Sequence, residues 1–228
     1  KMNNSNNKKK IMIAGSSGMV GNAIKKAYLN SKTHNSRIYE IFAPSRSELN
    51  LLNFEEVKNW FKDNCPDIVI LAAAKVGGIF ANKNNPSKFI LDNLKIQTNL
   101  IEISNNFKVE KFLFLGSSCI YPKLASQPIT EDELLSGQLE VTNQYYAIAK
   151  IAGIKLCEAL AIQEGFNSIC LMPTNLYGPG DNYHKSDSHV LPSLIKKFSE
   201  AKNKNMKNVT CWGDGSPLRE FLYVDDLA

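Results

Sequence analysis

Ile11-Met12-Ile13-Ala14-Gly15-Ser16-Ser17-Gly18-Met19-Val20-Gly21 reads as a buried strand that runs into a tight turn and then into the first turn of a helix. Gly15 permits the turn, Gly18 lets the backbone approach a pyrophosphate, and Gly21 allows the helix to pack closely on the strand. Phosphates would then sit on the free N–H groups of the helix N-terminus. Three glycines alone also make an ordinary loop. Their place directly after the first strand of an α/β pattern marks Gly15, Ser16, Ser17, Gly18, Met19, Val20 and Gly21 as a candidate dinucleotide contact.

Working outward, short apolar runs alternate with longer segments of helical period, the pattern of a parallel sheet covered on both faces. Strands are expected at about 10–14, 38–43, 67–72, 111–115 and 168–172. Helices follow the glycines over 19–30, then span 54–63, where Phe54, Val57, Trp60 and Phe61 fall at helical spacing, then run on from Pro86, and finally cover 142–164. After Pro173 the rhythm changes to Pro/Gly/Asn/His-rich sequence, with an amphipathic stretch near 190–203 and a Gly/Pro loop at 213–217. The expected fold class is therefore α/β. A doubly wound dinucleotide-binding domain over 10–172 follows a flexible basic tail over 1–9 and precedes part of a smaller α/β substrate domain over 173–228. That second domain is expected to be C-terminally incomplete, because a new helix begins at Asp225-Asp226-Leu227-Ala228.

With 228 residues and 43% hydrophobic content, a real core can form without disulfides or metal. The formal charge is +5, but Lys1, Lys8, Lys9 and Lys10 supply four of those charges in or beside the Asn-rich tail. The body is close to neutral, which argues against a nucleic-acid partner. Cys65, Cys119, Cys157, Cys170 and Cys211 are odd in number and lack C-x-x-C spacing, so neither a disulfide framework nor a metal site is expected. No stretch approaches ~18 uninterrupted apolar residues, and a cytoplasmic protein without membrane contact is expected.

An acid at the end of the second strand would favour a free ribose 2′-hydroxyl, whereas an arginine accommodates a 2′-phosphate. Here the strand runs into Ala43-Pro44-Ser45-Arg46, and Arg46 points to NADP(H); the competing Glu40 lies inside the strand. Tyr146 and Lys150 stand at i and i+4 on one helical face. A phenol with an ordinary pKa of ~10 becomes a useful acid–base group when a neighbouring cation stabilises its phenolate. Ser117 falls at the end of the fourth strand, where doubly wound sheets place their ligands.

These features resemble the extended short-chain dehydrogenase/reductase family, and Ala72–Ile79, Leu115–Pro122, Tyr146–Gly153 and Met172–Pro179 carry the likeness further. They are similar to the branch that epimerises a GDP-4-keto-6-deoxy-D-mannose at C3 and C5 and reduces it at C4. The resemblance implies that Tyr146 protonates the C4 oxygen, Lys150 supports it and binds the nicotinamide ribose, and Ser117 holds the keto oxygen. It implies further cofactor contacts from Leu115, Gly116, Ser117, Ser118, Pro173, Thr174, Asn175, Leu176 and His189. Cys119 and His189 match the acid–base pair of epimerisation, and inversion beside a ketone does need one group to remove a proton and another to return one. Lys197, Trp212 and Arg219 match nucleotide-sugar contacts, and the 142–164 helix matches the element that pairs in homodimers.

Two rival readings stay open on the sequence. One is another nucleotide-sugar epimerase or dehydratase of the same family; a dehydratase would be expected to carry an acid–base carboxylate where this chain has Ser117-Ser118-Cys119-Ile120. The other is a non-catalytic NADP-sensing protein, against which the presence of both Tyr146 and Lys150 counts.

Overall fold

The computed structural model describes residues 8–30, 38–184, 188–211 and 213–228. Most of the expected tail and Trp212 lie outside the described residues. Five strands form one parallel sheet in the order β2-β1-β3-β4-β5: β1 Lys9–Ala14, β2 Tyr39–Phe42, β3 Ile68–Leu71, β4 Lys111–Leu115 and β5 Ser168–Leu171. Each agrees with its expected range to within a residue. Lys9, expected in the tail, already pairs with Tyr39.

The helices are α1 Met19–Asn30, α2 Phe54–Asn64, α3 Ile79–Asn84, α4 Pro86–Asn106, α5 Gln144–Glu164, α6 Val190–Asn203 and a short α7 Val224–Leu227. Strand alternation sorts them onto two faces. Met12, Ala14, Val69, Leu71, Phe112 and Phe114 point to one side, where they pack with Val57 and Phe61 of α2, Leu100, Ile101 and Ile103 of α4 and Cys157 of α5. Ile11, Ile13 and Ile70 point to the other and meet Val20, Ile24 and Tyr28 of α1. Phe61, Phe112 and Phe114 are fully buried, each a contribution of about 1.5–3 kcal/mol by area.

The order of the sheet positions the site. β2 leaves β1 on one side, while β3, β4 and β5 follow on the other, so the chain changes direction between β1 and β3. At such a switch point the loops at the strands' carboxyl ends diverge and leave a crevice. The loop after β3 therefore lies between the glycine turn after β1 and the segment after β4.

The sequence pattern did not foretell β6 Asn175–Tyr177 and β7 Phe221–Tyr223, which form a separate parallel pair. The carbonyl of Glu220 accepts from Thr174 Oγ1 at 2.8 Å, Asn175 Nδ2 at 2.9 Å and Asn175 N at 3.4 Å. It fastens the chain where it leaves the sheet to the chain where it returns. Among the described residues, no helix is long and apolar enough to cross a membrane.

Candidate active site

The glycine turn has the shape its residues require. Gly15 takes φ +88°, and a Cβ there would lie 2.6 Å from Ala73 N, so the turn and the loop after β3 pack backbone to backbone. A Cβ on Gly21 would run into the carbonyl of Gly15, which explains the third glycine by helix packing alone. Gly18 differs. A Cβ there would meet only Gly15 O, at 3.4 Å, and would otherwise project into open space. Nothing in the protein's own packing demands a glycine there, whereas a pyrophosphate lying over the start of α1 would. Gly18 N donates to Gly15 O at 3.0 Å, and Gly18 O accepts from Asn22 N, opening α1. Ser17 is exposed, Met19 and Val20 are half-buried, and Ser16 turns inward to donate to Ala43 O at 3.1 Å. That bond ties the glycine turn to the chain just before Arg46, which stands exposed in the turn after β2; Glu40 is exposed on β2.

At the end of β4, Ser117 caps a single 3-10 turn over Ser118–Ile120, accepting from Cys119 N at 3.4 Å. Its hydroxyl also lies close enough to Tyr146 and to the Cys119 thiol to lower the pKa of each, so one serine stands beside two groups of opposite expected duty. Burial pushes the Tyr146 phenol well above its ordinary range, the nearby Cys119 raises it further, and Ser117 pulls it back. The i+4 spacing suggested a phenolate stabilised by Lys150. Lys150, 3% exposed, donates from Nζ to Leu115 O at 2.6 Å and lies over the ring of Phe114 at 4.7 Å and that of Tyr146 at 5.8 Å. Burial lowers Lys150 to about 8, with Cys119 acting against the shift. The Cys119 thiol is likewise pushed up by burial, and Ser117 and the Lys150 charge draw it down. What results is a phenol and a thiol beside one hydroxyl, with the Lys150 amine close to both.

Sequence reasoning missed two supports of this cluster. The Leu115 carbonyl holds Lys150 Nζ, and the Phe114 face lies beneath it. The alternation of Lys111-Phe112-Leu113-Phe114-Leu115 carried the signal for Phe114, since it puts Phe114 on the α5 side. Gly116 N extends the β4–β5 ladder to Leu171 O, and Ser118 N donates to Pro173 O at 3.2 Å, which draws the Pro173–Leu176 segment beside the cluster. Thr174 and Asn175 direct their side chains to Glu220 O.

The remaining expected residues stand apart. His189 is exposed, immediately before α6, and lies near Asp181, whose carboxyl is raised by burial and drawn down by Asn182 N–H and His189. The interactions of Cys119 run to Ser117, Tyr146 and Lys150 rather than to His189. Asp181, Tyr177, Leu191, Ile195 and Tyr223 line a cavity of about 270 Å³. Lys197 on α6 donates to Thr210 O at 3.4 Å, and Arg219 donates to Leu218 O at 2.6 Å. No group of three or more metal-ligating side chains occurs among the described residues.

The profile of the NAD dependent epimerase/dehydratase family matches residues 11–228. A probable GDP-L-fucose synthase 1 of Oryza sativa subsp. japonica is 53% identical over 96% of this chain and 66% of its own length. The GDP-L-fucose synthase of Escherichia coli (strain K12) is 52% identical over 97% of this chain and 67% of its own. Among solved structures, a GDP-L-fucose synthetase from Naegleria fowleri bound to NADP superposes with a TM-score of 0.84 at 31% identity, covering 96% of this chain and 70% of that one. The chain spans about two thirds of the length of the curated relatives it matches.

Proposed function

We propose, for a chain that belongs to the NAD dependent epimerase/dehydratase family, that it forms the catalytic part of an enzyme converting GDP-4-keto-6-deoxy-D-mannose to GDP-L-fucose. The reaction comprises epimerisation at C3 and C5 and NADPH-dependent reduction at C4. The observation that carries this reading is the Ser117–Cys119–Tyr146–Lys150 cluster at the carboxyl end of β4. Gly15 to Gly21, with the open space over Gly18, would hold the pyrophosphate, and Arg46 would meet the 2′-phosphate. Leu115, Gly116, Ser118 and the Pro173–Leu176 segment would flank the nicotinamide half. When bound, NADPH supplies the hydride.

The protein's part is proton management. A phenol held above its ordinary range stays protonated at neutral pH and serves as an acid toward an oxygen gaining negative charge, the direction a reduction requires. Ser117 orients that oxygen, and Lys150, charged below about 8, stabilises what the phenol leaves behind. For epimerisation, Cys119 and His189 divide removal and return of the protons at C3 and C5, with His189 brought in from the start of α6. Lys197 and Arg219 supply cations for the diphosphate, and Trp212 an aromatic surface for the nucleotide. The exposed Tyr145, Ile148 and Ile162 on α5 support pairing of this helix in a homodimer.

The test is proton exchange in deuterated water with full-length protein. The parent labels C3 and C5, while Cys119→Ser and His189→Gln lose or redirect that labelling with Tyr146 and Lys150 intact. If both variants label at the parent rate, Cys119 and His189 are structural, and the reading contracts to a reductase of 4-keto sugar nucleotides.

A further inference from the structure

The loop from Ala72 to Gly78 has no regular secondary structure, yet it lies between the glycine turn and the Ser117 cluster because β3 lies between β1 and β4. Ala72 N is held by Ala14 O at 2.9 Å. Beyond that, two buried asparagines take hold of it. Asn93 on α4, 2% exposed, accepts from Lys75 N at 2.8 Å and donates to Lys75 O at 3.0 Å, gripping one residue at both its peptide groups. A further bond from Asn93 Nδ2 to Phe89 O at 2.7 Å fixes the amide against its own helix. Asn82 on α3, 6% exposed, donates to Gly77 O at 2.8 Å and Gly78 O at 3.1 Å. Val76, Ile79 and Phe80 meanwhile remain largely exposed around this loop.

Buried asparagines are costly unless their bonds are made; apart from the Asn93 bond to Phe89 O, those made here go to one stretch of loop, and Asn82 Oδ1 is buried without a hydrogen-bond partner. That loop also meets Gly15 backbone to backbone, so its path bears on the dinucleotide turn on one side and on the space before Ser117 on the other. We propose that Asn82 and Asn93 are positioning residues for the reaction. By clamping Lys75 to Gly78 they set the separation between the cofactor side and the sugar side of the crevice, and with it the alignment for hydride transfer. The inference rests on the assignment of Tyr146 and Ser117 to the keto oxygen.

Asn99, on the same helix, provides the comparison: its side chain also donates to a main-chain oxygen, Leu51 O at 2.9 Å, but on the α2 side of the molecule. Asn82→Ala, Asn93→Ser and Asn99→Ala are made in full-length protein. In free protein, amide exchange across residues 73–80 is expected to accelerate about tenfold in the first two variants and to stay at the parent rate in the third. With NADPH and the 4-keto sugar nucleotide, single-turnover hydride transfer is expected to slow by about ten- to a hundredfold in the clamp variants. NADPH affinity, read by fluorescence titration, changes by less than about threefold. Clamp variants that exchange as the parent does overturn the inference, and so does faster exchange with hydride transfer within about twofold of the parent. Should Asn93→Ser fail to fold, Asn82→Ala decides alone. A parent that does not reduce the sugar overturns the functional reading instead, and the clamp is then judged on exchange: an unchanged rate overturns it.

Discussion

Side chains expected to act on one sugar are held in two contrasting ways. At the end of β4 they are turned inward: Lys150 is buried, Cys119 and Tyr146 are half-buried, and Ser117 stands beside the thiol and the phenol. Between Tyr177 and Arg219 they lie nearer water: His189 and Arg219 are exposed, Lys197 is half-buried, and the two cations reach backbone carbonyls. The contrast follows from what lies beneath. The first group hangs on a central strand and on a helix packed against it, which fixes each side chain to within a hydrogen bond. The second hangs on one amphipathic helix and on loops. The Tyr146 cluster, Cys119 included, is thus preorganised by the sheet, while His189, Lys197 and Arg219, carried on one helix and on loops, would be ordered further by a ligand.

If that division holds, the largest effect comes from the preorganised side. Tyr146→Phe keeps the ring and removes the acid, so single-turnover NADPH oxidation should fall by about 10²–10⁴-fold while cofactor binding is retained. A normal rate would place the acid elsewhere and erase the contrast.

Lys150→Met tests the burial of charge. Its pKa falls from the ordinary 10.5 to about 8 in the folded protein, so the unfolded chain holds more protons between those values and stability rises with pH through that window. The penalty of the buried ammonium is fully present below about 8. The variant should therefore lose activity yet gain up to about 3 kcal/mol of stability at pH 7, less what the Leu115 and Phe114 contacts contributed. Urea titrations at pH 7 and pH 10 should show the gain shrinking at the higher pH; a constant gain would mean the amine is not perturbed.

Smaller effects belong to the exposed side. Arg46→Ala should weaken NADPH by about tenfold with little change for NADH, and equal losses would remove the 2′-phosphate assignment. Lys197→Ala should weaken GDP binding by about threefold, an effect that fades in high salt. A loss as large as that of Tyr146→Phe would show that this region is no less preorganised than the other.

The sequence made the sheet legible because its strands are continuous apolar runs and its first turn carries glycines with steric reasons to be there. It did not reveal β6 and β7, since Asn175-Leu176-Tyr177 and Phe221-Leu222-Tyr223 are too short for alternation to register and pair across a long excursion. Nor did it reveal α3, six residues after a pair of glycines. Within the site, spacing brought Tyr146 and Lys150 to one helix face but could not show that Lys150 Nζ turns to Leu115 O, because the carbonyl belongs to a strand 35 residues away. The asparagine clamp left a faint trace. Asn93 and Gln97 sit four residues apart on the buried stripe of α4, and Gln97 Nε2 donates to Ala149 O beside Lys150. Polar residues on a core stripe ask for partners, but sequence alone does not name them.

The fastening at Glu220 has a consequence for descent. Asn175 and Glu220 are 45 residues apart in the chain and joined at one carbonyl, so everything between them leaves and rejoins the body at a single place. Closure entropy grows only logarithmically with the length of such a detour. The detour behaves as a cassette: residues can be exchanged, added or lost between those two points while the sheet and its buried acid stay as they are. A lineage that rewrites the cassette would change His189, Lys197 and Arg219 and keep the Tyr146 cluster.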